Sequence, residues 1–265
     1  MKEEKVKIVM DFDGTLSYGR RKDGKKNSSI ASLRDGGYLS EKYDKAAHTL
    51  HDKYYKIEKD HTLSQTVRLA AMHEWWNVHS QLLVDSGLTH DMMERAGRSH
   101  YVILRPGIKE LFNFLKEQNI DTYIFTAGRR ELIYYTLLEE GVDIDEDHII
   151  GNYFVYVDGQ AIDYNRPQIT SMDKDESVTL DRSNHMYAGI RDAYMAASKT
   201  IILGDGEGDA EMVKGATFRI GFFNMSPDEA HYTERLAHFK SIYDVVLPAD
   251  ASMSEVIEII KEKVV

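Results

Sequence analysis

Asp11 and Asp13 stand two residues apart in Asp11-Phe12-Asp13-Gly14-Thr15-Leu16-Ser17, a spacing that lets two carboxylates serve one reacting centre. A carboxylate can attack phosphorus and form an aspartyl-phosphate, dividing a difficult hydrolysis into two easier steps. A second acid nearby can protonate the departing ester oxygen and then activate water against the intermediate. Asp11, the first residue after an apolar run, is the expected nucleophile, and Asp13 the expected acid and base. Gly204-Asp205-Gly206-Glu207-Gly208-Asp209 supplies two more carboxylates, Asp205 and Asp209. Four such groups at one edge would raise each other's pKa values unless a cation neutralised them. An all-oxygen set suits Mg²⁺, which takes one or two carboxylates and keeps waters and a substrate phosphate. Thr126, with the backbone N–H groups of Ala127 and beyond, is placed to hold phosphoryl oxygens. Any one of these aspartates alone reads as a turn residue or a helix cap. The combination is what points to phosphoryl chemistry.

That combination works only if the chain brings distant segments together. Three short apolar runs each stop at these residues: Val6 to Met10 before Asp11, Thr122 to Phe125 before Thr126-Ala127-Gly128, and Thr200 to Leu203 before Gly204-Asp205. Such runs read as buried parallel strands, and ligands collect at the carboxyl ends of strands in open sheets. Ile108, Leu111, Phe112 and Leu115 give a helical stripe after Pro106-Gly107, and Ser252 with Glu255 caps a closing helix behind the strand Val245 to Leu247. Helix following strand implies an α/β, Rossmann-like doubly wound parallel sheet. Residues 17–100 break the rhythm with helical patterns only, so they read as an inserted helical cap on a core formed by residues 1–16 and 101–265. Within the insert Val67, Ala71, Trp75, Val78 and Leu82 share one helical face, leaving Glu74 and His79 to point elsewhere. Asp158-Gly159 marks a hairpin turn between Phe154 to Val157 and Ala161 to Tyr164.

Composition sets the outer bounds. The chain has 265 residues, 42% of them hydrophobic and 29% charged, as expected of a globular protein. The net charge of −11 argues against a nucleic-acid polymer as partner, while leaving room for one small anion at a locally positive site. No apolar run is long enough to span a bilayer, and Met1 to Lys5 are charged, so the expected location is the cytoplasm, with no membrane partner. Without cysteine, a metal must bind through oxygen or histidine. Arg20-Arg21-Lys22-Asp23-Gly24-Lys25-Lys26 reads as a mobile polar loop. Oligomeric state has no signature in the chain.

Asp11-Phe12-Asp13-Gly14-Thr15, together with Gly204-Asp205 and Asp209, resembles the first and last motifs of the haloacid dehalogenase (HAD-like) superfamily of phosphatases. The resemblance implies Asp11 as nucleophile, Asp13 as acid and base, and Mg²⁺ held by Asp11, the backbone carbonyl of Asp13 and Asp205, with Asp209 in support. It also implies a cationic residue, matched by Lys174 in Met172-Asp173-Lys174-Asp175.

Across nearly the whole chain the sequence is similar to the pyrimidine 5′-nucleotidase family, also called cytosolic 5′-nucleotidase III. The similarity rests on Leu39-Ser40-Glu41-Lys42, Tyr54-Tyr55-Lys56-Ile57-Glu58, Glu74-Trp75-Trp76, Phe125-Thr126-Ala127-Gly128 and Ile202-Leu203-Gly204-Asp205. It implies a nucleoside 5′-monophosphate substrate, with Glu58 at the base edge, Trp76 stacked on the base and His79 beside it. A carboxylate accepts hydrogen bonds from an exocyclic amine, and an aromatic face stacks on a base. Gly14, Thr126, Arg129-Arg130 and His79 depart from residues frequent in that family. Tryptophan at position 76 resembles members that accept 7-methylguanosine monophosphate, whose cationic base favours an indole face. Pyrimidine nucleotides and 7-methyl-GMP both stay open as substrates. Phosphoserine or a sugar phosphate, and a non-catalytic nucleotide-binding module, are the competing readings, because core motifs do not specify the leaving group.

Overall fold

The computed structural model describes residues 5–60, 62–176 and 188–264; the N-terminal residues Met1 to Glu4 lie outside them. Six strands form one parallel sheet: β1 (Val6–Met10), β2 (Asp121–Arg129), β3 (Ile149–Asn152), β6 (Lys199–Gly204), β7 (Phe218–Phe223) and β8 (Val245–Pro248). Their order is β3-β2-β1-β6-β7-β8. The chain builds outward from β1 on one side and from β6 on the other, so the order reverses between these two neighbours. This is the doubly wound α/β sheet expected from the sequence, with its switch point where Asp11 and Asp205 emerge.

Alternation along the strands divides the core in two. Ile8, Met10, Ile124, Ile201, Leu203, Ile220 and Phe222 pack on one face against α5 (Ile108–Glu117) and α10 (Met253–Lys263). Val9, Tyr123, Phe125, Ile150 and Ile202 pack on the other, against Tyr194 of α7 (Ala188–Ala196), Met212 and Val213. Burial on both faces explains why the strands read as unbroken apolar runs. β2 extends to Arg129, past the expected end at Phe125, and its pairing with β3 is irregular between Phe125 and Arg129.

Four helices lie between β1 and α5: α1 (Ser29–Asp35), α2 (Glu41–Glu58), α3 (Gln65–Asp85) and α4 (His90–Gly97). Ser28, Ser40, Ser64 and Thr89 cap them, each side chain accepting a backbone N–H from the first turn. The expected face of α3 is corrected by the structure. Val67 and Val78 are exposed, whereas Met72, His79, Ser80 and Leu83 are buried. The reason is that α3 packs both on α2 and on the antiparallel hairpin of β4 (Phe154–Val157) and β5 (Gln160–Tyr164), so no single stripe faces inward. Leu33, Tyr43, Ala47, Leu83, Leu88, Met93 and Ala96 share a core with Phe154, Ala161 and Tyr164 of the hairpin. Backbone bonds from Ala161 to Leu88 and from His90 to Gly159 reinforce the join. Asp158 and Gly159 both take positive φ, as a two-residue hairpin turn requires. The polar stretch Arg20 to Lys26 closes on itself through a bridge between Arg20 and Lys26.

Arg105 ties the segment after β1 to the far edge of the sheet. It is 1% exposed, yet its guanidinium donates to the carbonyls of Gly14, Thr15, Ala249 and Ala251 and to Asn224 Oδ1, over 2.7–3.0 Å. Burial lowers its pKa to about 10, which still leaves it charged at neutral pH. Replacing it removes one cation and leaves four carbonyl acceptors short of a donor. Arg105→Met is expected to destabilise the fold by about 3 kcal/mol or more, measured as a lower urea midpoint with unchanged slope.

Candidate active site

The turn after β1 holds two aspartates in different settings. Asp11 is 4% exposed, with Oδ2 accepting from the Thr15 hydroxyl at 3.2 Å and Oδ1 bonded to the Lys174 ammonium. Asp13 turns the other way: its Oδ1 and Oδ2 accept from the backbone N–H and hydroxyl of Ser29, each at 2.7 Å. Burial raises the Asp13 pKa, and these bonds from Ser29 pull against that. Gly14, directly after Asp13, takes φ +90°, a left-handed conformation natural to glycine, and its carbonyl accepts from both Arg105 and Asn224.

The turn after β6 supplies the other acids. Asp209 caps the short α8 (Glu207–Ala210): its Oδ2 accepts from the backbone N–H groups of Asp205 and Gly206 at 2.8 Å. Its Oδ1 meets Lys174 Nζ at 2.6 Å. The expected cap role of Asp209 and its place in the carboxylate group therefore coexist. Asp205 Oδ2 accepts from Asn224 Nδ2 at 2.8 Å, just beyond the end of β7. One oxygen from each of Asp11, Asp205 and Asp209 lies within 4.8 Å of the others, a grouping able to hold a metal ion. The Asp13 carboxylate is not part of it.

Charge at this point is strained by burial. Loss of solvent raises Asp11 well above the ordinary carboxylate range, with Lys174 opposing and Asp209 and Asp205 adding to the rise. Burial and then Asp209 push Asp205 up to about 7. For Lys174 burial works toward deprotonation, but Asp11 and Asp209 outweigh it and hold the ammonium charged. One cation thus faces three acids, and a second positive charge would complete the balance.

Thr126 sits at the end of the regular part of β2, 2% exposed, its Oγ1 accepting from Gly128 N at 2.9 Å. Ala127 is partly exposed and its carbonyl accepts from Asn152 Nδ2 at 2.8 Å. Asn152 also receives Ile169 N and donates to Ile169 O, both at 2.8 Å, fastening the segment that carries Lys174 beside the Thr126 loop. Asp173 then closes that segment by accepting from Thr170 N and Oγ1.

Three residues of the helical segment reach these loops. Glu58, at the end of α2, accepts from Ser171 Oγ at 2.8 Å, three residues before Lys174. Trp76 on α3 has the guanidinium of Arg129 5.3 Å from its ring centroid, three residues after Thr126. His73 adds a third link, its Nε2 lying 2.7 Å from Asp173 Oδ2. His79 is placed differently: it is 5% exposed and its Nε2 bonds Tyr43 Oη at 3.0 Å within the α2–α3 packing. Burial, with Arg129 and Arg34, depresses its pKa to about 3, so the ring is neutral. Sequence reasoning missed Ser29, Asn224, Arg129 and Ser171. Asn224 had a signal, since it directly follows the apolar run Phe218–Phe223 at the same edge of the sheet.

The sign of the pH dependence follows from the raised carboxylates. Between about pH 4 and pH 7 the metal-free folded protein keeps a proton on Asp205 that the unfolded chain releases, so this contribution to stability falls as pH rises through that window, and the raised Asp11 acts in the same direction. A divalent cation replaces those protons above it. It is expected to raise Tm by roughly 5 °C near pH 8 and by much less near pH 5. Asp205→Asn should remove most of the shift, read by thermal melts with and without the ion.

Comparison with known proteins identifies the family. The family model described as pyrimidine 5′-nucleotidase (UMPH-1) matches residues 14–264. A Caenorhabditis elegans protein provisionally named cytosolic 5′-nucleotidase 3 is 27% identical over 261 residues, covering 94% of this chain and 67% of the relative. A Homo sapiens 7-methylguanosine phosphate-specific 5′-nucleotidase is 27% identical over 259 residues, covering 96% of this chain and 83% of the relative. The crystal structure of cytosolic 5′-nucleotidase IIIB bound to cytidine superposes with a TM-score of 0.81 at 24% identity, over 97% of this chain and 86% of that one. A phosphoserine phosphatase solved as a phospho-aspartyl intermediate analogue shares the fold more loosely, with a TM-score of 0.57 at 16% identity over 97% and 99% of the two chains. The chain belongs to the pyrimidine 5′-nucleotidase family, whose named members are phosphoric monoester hydrolases.

Proposed function

We propose that this protein hydrolyses nucleoside 5′-monophosphates to nucleoside and phosphate, with Asp11 as nucleophile. The observation that carries the reading is the grouping of Asp11, Asp205 and Asp209 around Lys174 at the switch point of the sheet, inside a chain that belongs to a nucleotidase family.

The donor set fits Mg²⁺. It is all oxygen and mostly buried, and burial, with the repulsion of neighbouring acids added, raises Asp11 and Asp205, a rise that a divalent ion relieves. Asp11, Asp205 and Asp209 would hold it, with the backbone carbonyl of Asp13 as a further donor, and when bound it would neutralise phosphoryl charge. The remaining steps belong to side chains. Lys174 and the Thr126 loop, with the N–H groups from Ala127 onward, hold phosphoryl oxygens, and the Asp11–Lys174 contact opposes the protonation that burial favours at the nucleophile. A carboxylate oxygen of Asp11 forms a bond to phosphorus as the bond to the 5′-oxygen breaks. Asp13 delivers its proton to that departing oxygen, a task suited to a carboxyl whose pKa burial has raised. Water then gives a proton to Asp13 and attacks phosphorus, releasing phosphate and restoring Asp11; a nucleoside in place of water gives phosphotransfer. Ser29 fixes Asp13 through both oxygens, and so orients the proton.

The helical segment of residues 17–100 acts in this reading as the cap that supplies the base site. Glu58 accepts from an exocyclic amine and Trp76 stacks on the ring, while His79, engaged by Tyr43, shapes the wall behind them. Both chemistries suit a nucleoside, including CMP, UMP and 7-methyl-GMP. Cap closure excludes bulk water from the reacting phosphate.

Phosphate release from CMP, UMP, AMP, GMP, 7-methyl-GMP, phosphoserine and a sugar phosphate, with and without Mg²⁺, tests the reading. Mg²⁺-dependent turnover of nucleotides above the other esters is expected, and preference for phosphoserine or the sugar phosphate would defeat it. Asp11→Asn should lower kcat by roughly 10⁴-fold or more while nucleotide binding persists. Turnover by that variant near the native rate would remove Asp11 from its role.

A further inference from the structure

Arg129 is a charged side chain with no exposed surface, set at the junction of the Thr126 loop and α3. Its two terminal nitrogens donate to neutral acceptors, Gln168 Oε1 at 2.9 Å and Ser80 Oγ at 2.7 Å. Its Nε has no hydrogen-bond partner. The guanidinium carbon lies 5.3 Å from the Trp76 ring centroid and 4.9 Å from that of Phe154. Glu131 is the acid felt most strongly, but its Oε1 accepts from Phe154 N rather than from Arg129. Hydrogen-bonded only to amide and hydroxyl oxygens, this buried cation has its charge only partly offset by Glu131, and its field reaches far in a poorly solvated place. The effect on a neighbour is already visible: Arg129 helps keep the His79 imidazole neutral.

We propose that Arg129 sets the base preference of the nucleotide site, selecting an uncharged base over a cationic one such as 7-methylguanine. The inference rests on the nucleotidase reading above and on Trp76 as the stacking ring. An unoccupied indole face would attract a cationic base. Here a guanidinium already lies 5.3 Å from that ring's centroid, so a second cation at the ring meets like charge. Glu58 exerts the opposite pull at the base edge, but its carboxylate is partly exposed and already bonded to Ser171. Removing the Arg129 charge leaves Glu58 unopposed and moves the preference toward cationic bases.

GMP and 7-methyl-GMP share a ring system and differ by one methyl group and its charge, so their ratio of kcat/KM isolates the effect. The native protein is expected to favour GMP over 7-methyl-GMP by roughly tenfold, Arg129→Met to abolish or invert that ratio, and Arg129→Lys to retain it. A native protein that prefers 7-methyl-GMP, or an Arg129→Met variant with the native ratio, would overturn the inference and leave the nucleotidase reading standing. Should Arg129→Met fail to fold, inhibition of native CMP turnover by guanosine and by 7-methylguanosine decides the matter: stronger inhibition by guanosine supports it, and stronger inhibition by 7-methylguanosine overturns it. A native protein inactive on every nucleoside monophosphate would remove the nucleotidase reading, and this inference with it.

Discussion

The contact of one ammonium with two buried carboxylates holds the centre of this molecule together. Lys174 faces Asp11 and Asp209, which follow different strands, and without it two buried carboxylates would have no cation between them. The surrounding structure serves to keep this arrangement in place. Asn152 pins the segment carrying Lys174 against the Thr126 loop, Asn224 holds Asp205, and Arg105 anchors the turn after β1 from beneath. Each of these is a polar side chain satisfying backbone groups that an α/β core cannot satisfy with strands alone.

Such an arrangement stores electrostatic tension in the folded state and keeps it available for chemistry. Once a cation restores its charge, a carboxylate in a dry site is a better nucleophile than one dissolved in water, and the neighbouring acid whose pKa burial has raised is a better proton donor. Asp11 and Asp13 sit two residues apart yet have separate environments, one facing an ammonium and the other a hydroxyl and an amide. Opposite assignments for two identical side chains follow from those partners.

Much of the sheet was legible because buried parallel strands are written as short apolar runs ending at polar turns, and β1, β6 and β8 all follow that form. The acids at their ends were legible for the same reason. β3 and β7 were not recognised, since Ile-Ile-Gly-Asn and Phe-Arg-Ile-Gly-Phe-Phe carry glycine or charge within the run. The buried face of α3 was misread because periodicity reports one partner and this helix has two, so that polar His79 and Ser80 lie inside while Val67 and Val78 lie outside. Arg129 stood out in the sequence only as a departure from residues frequent in the family; the third dimension shows Ser80, Gln168 and Trp76 closing around it.

The apolar core shared by the helices of residues 29–97 and the β4–β5 hairpin bears on how such proteins diversify. Leu88, Met93 and Ala96 would lose their packing if the hairpin were left behind, and Phe154, Ala161 and Tyr164 would be laid bare if the helices were taken away. The helical segment is therefore not an exchangeable part by itself. A chimaera that borrows it from a relative inherits a mismatched seam unless residues 154–164 travel with it, so two stretches separated along the chain by β2 and β3 must change in concert.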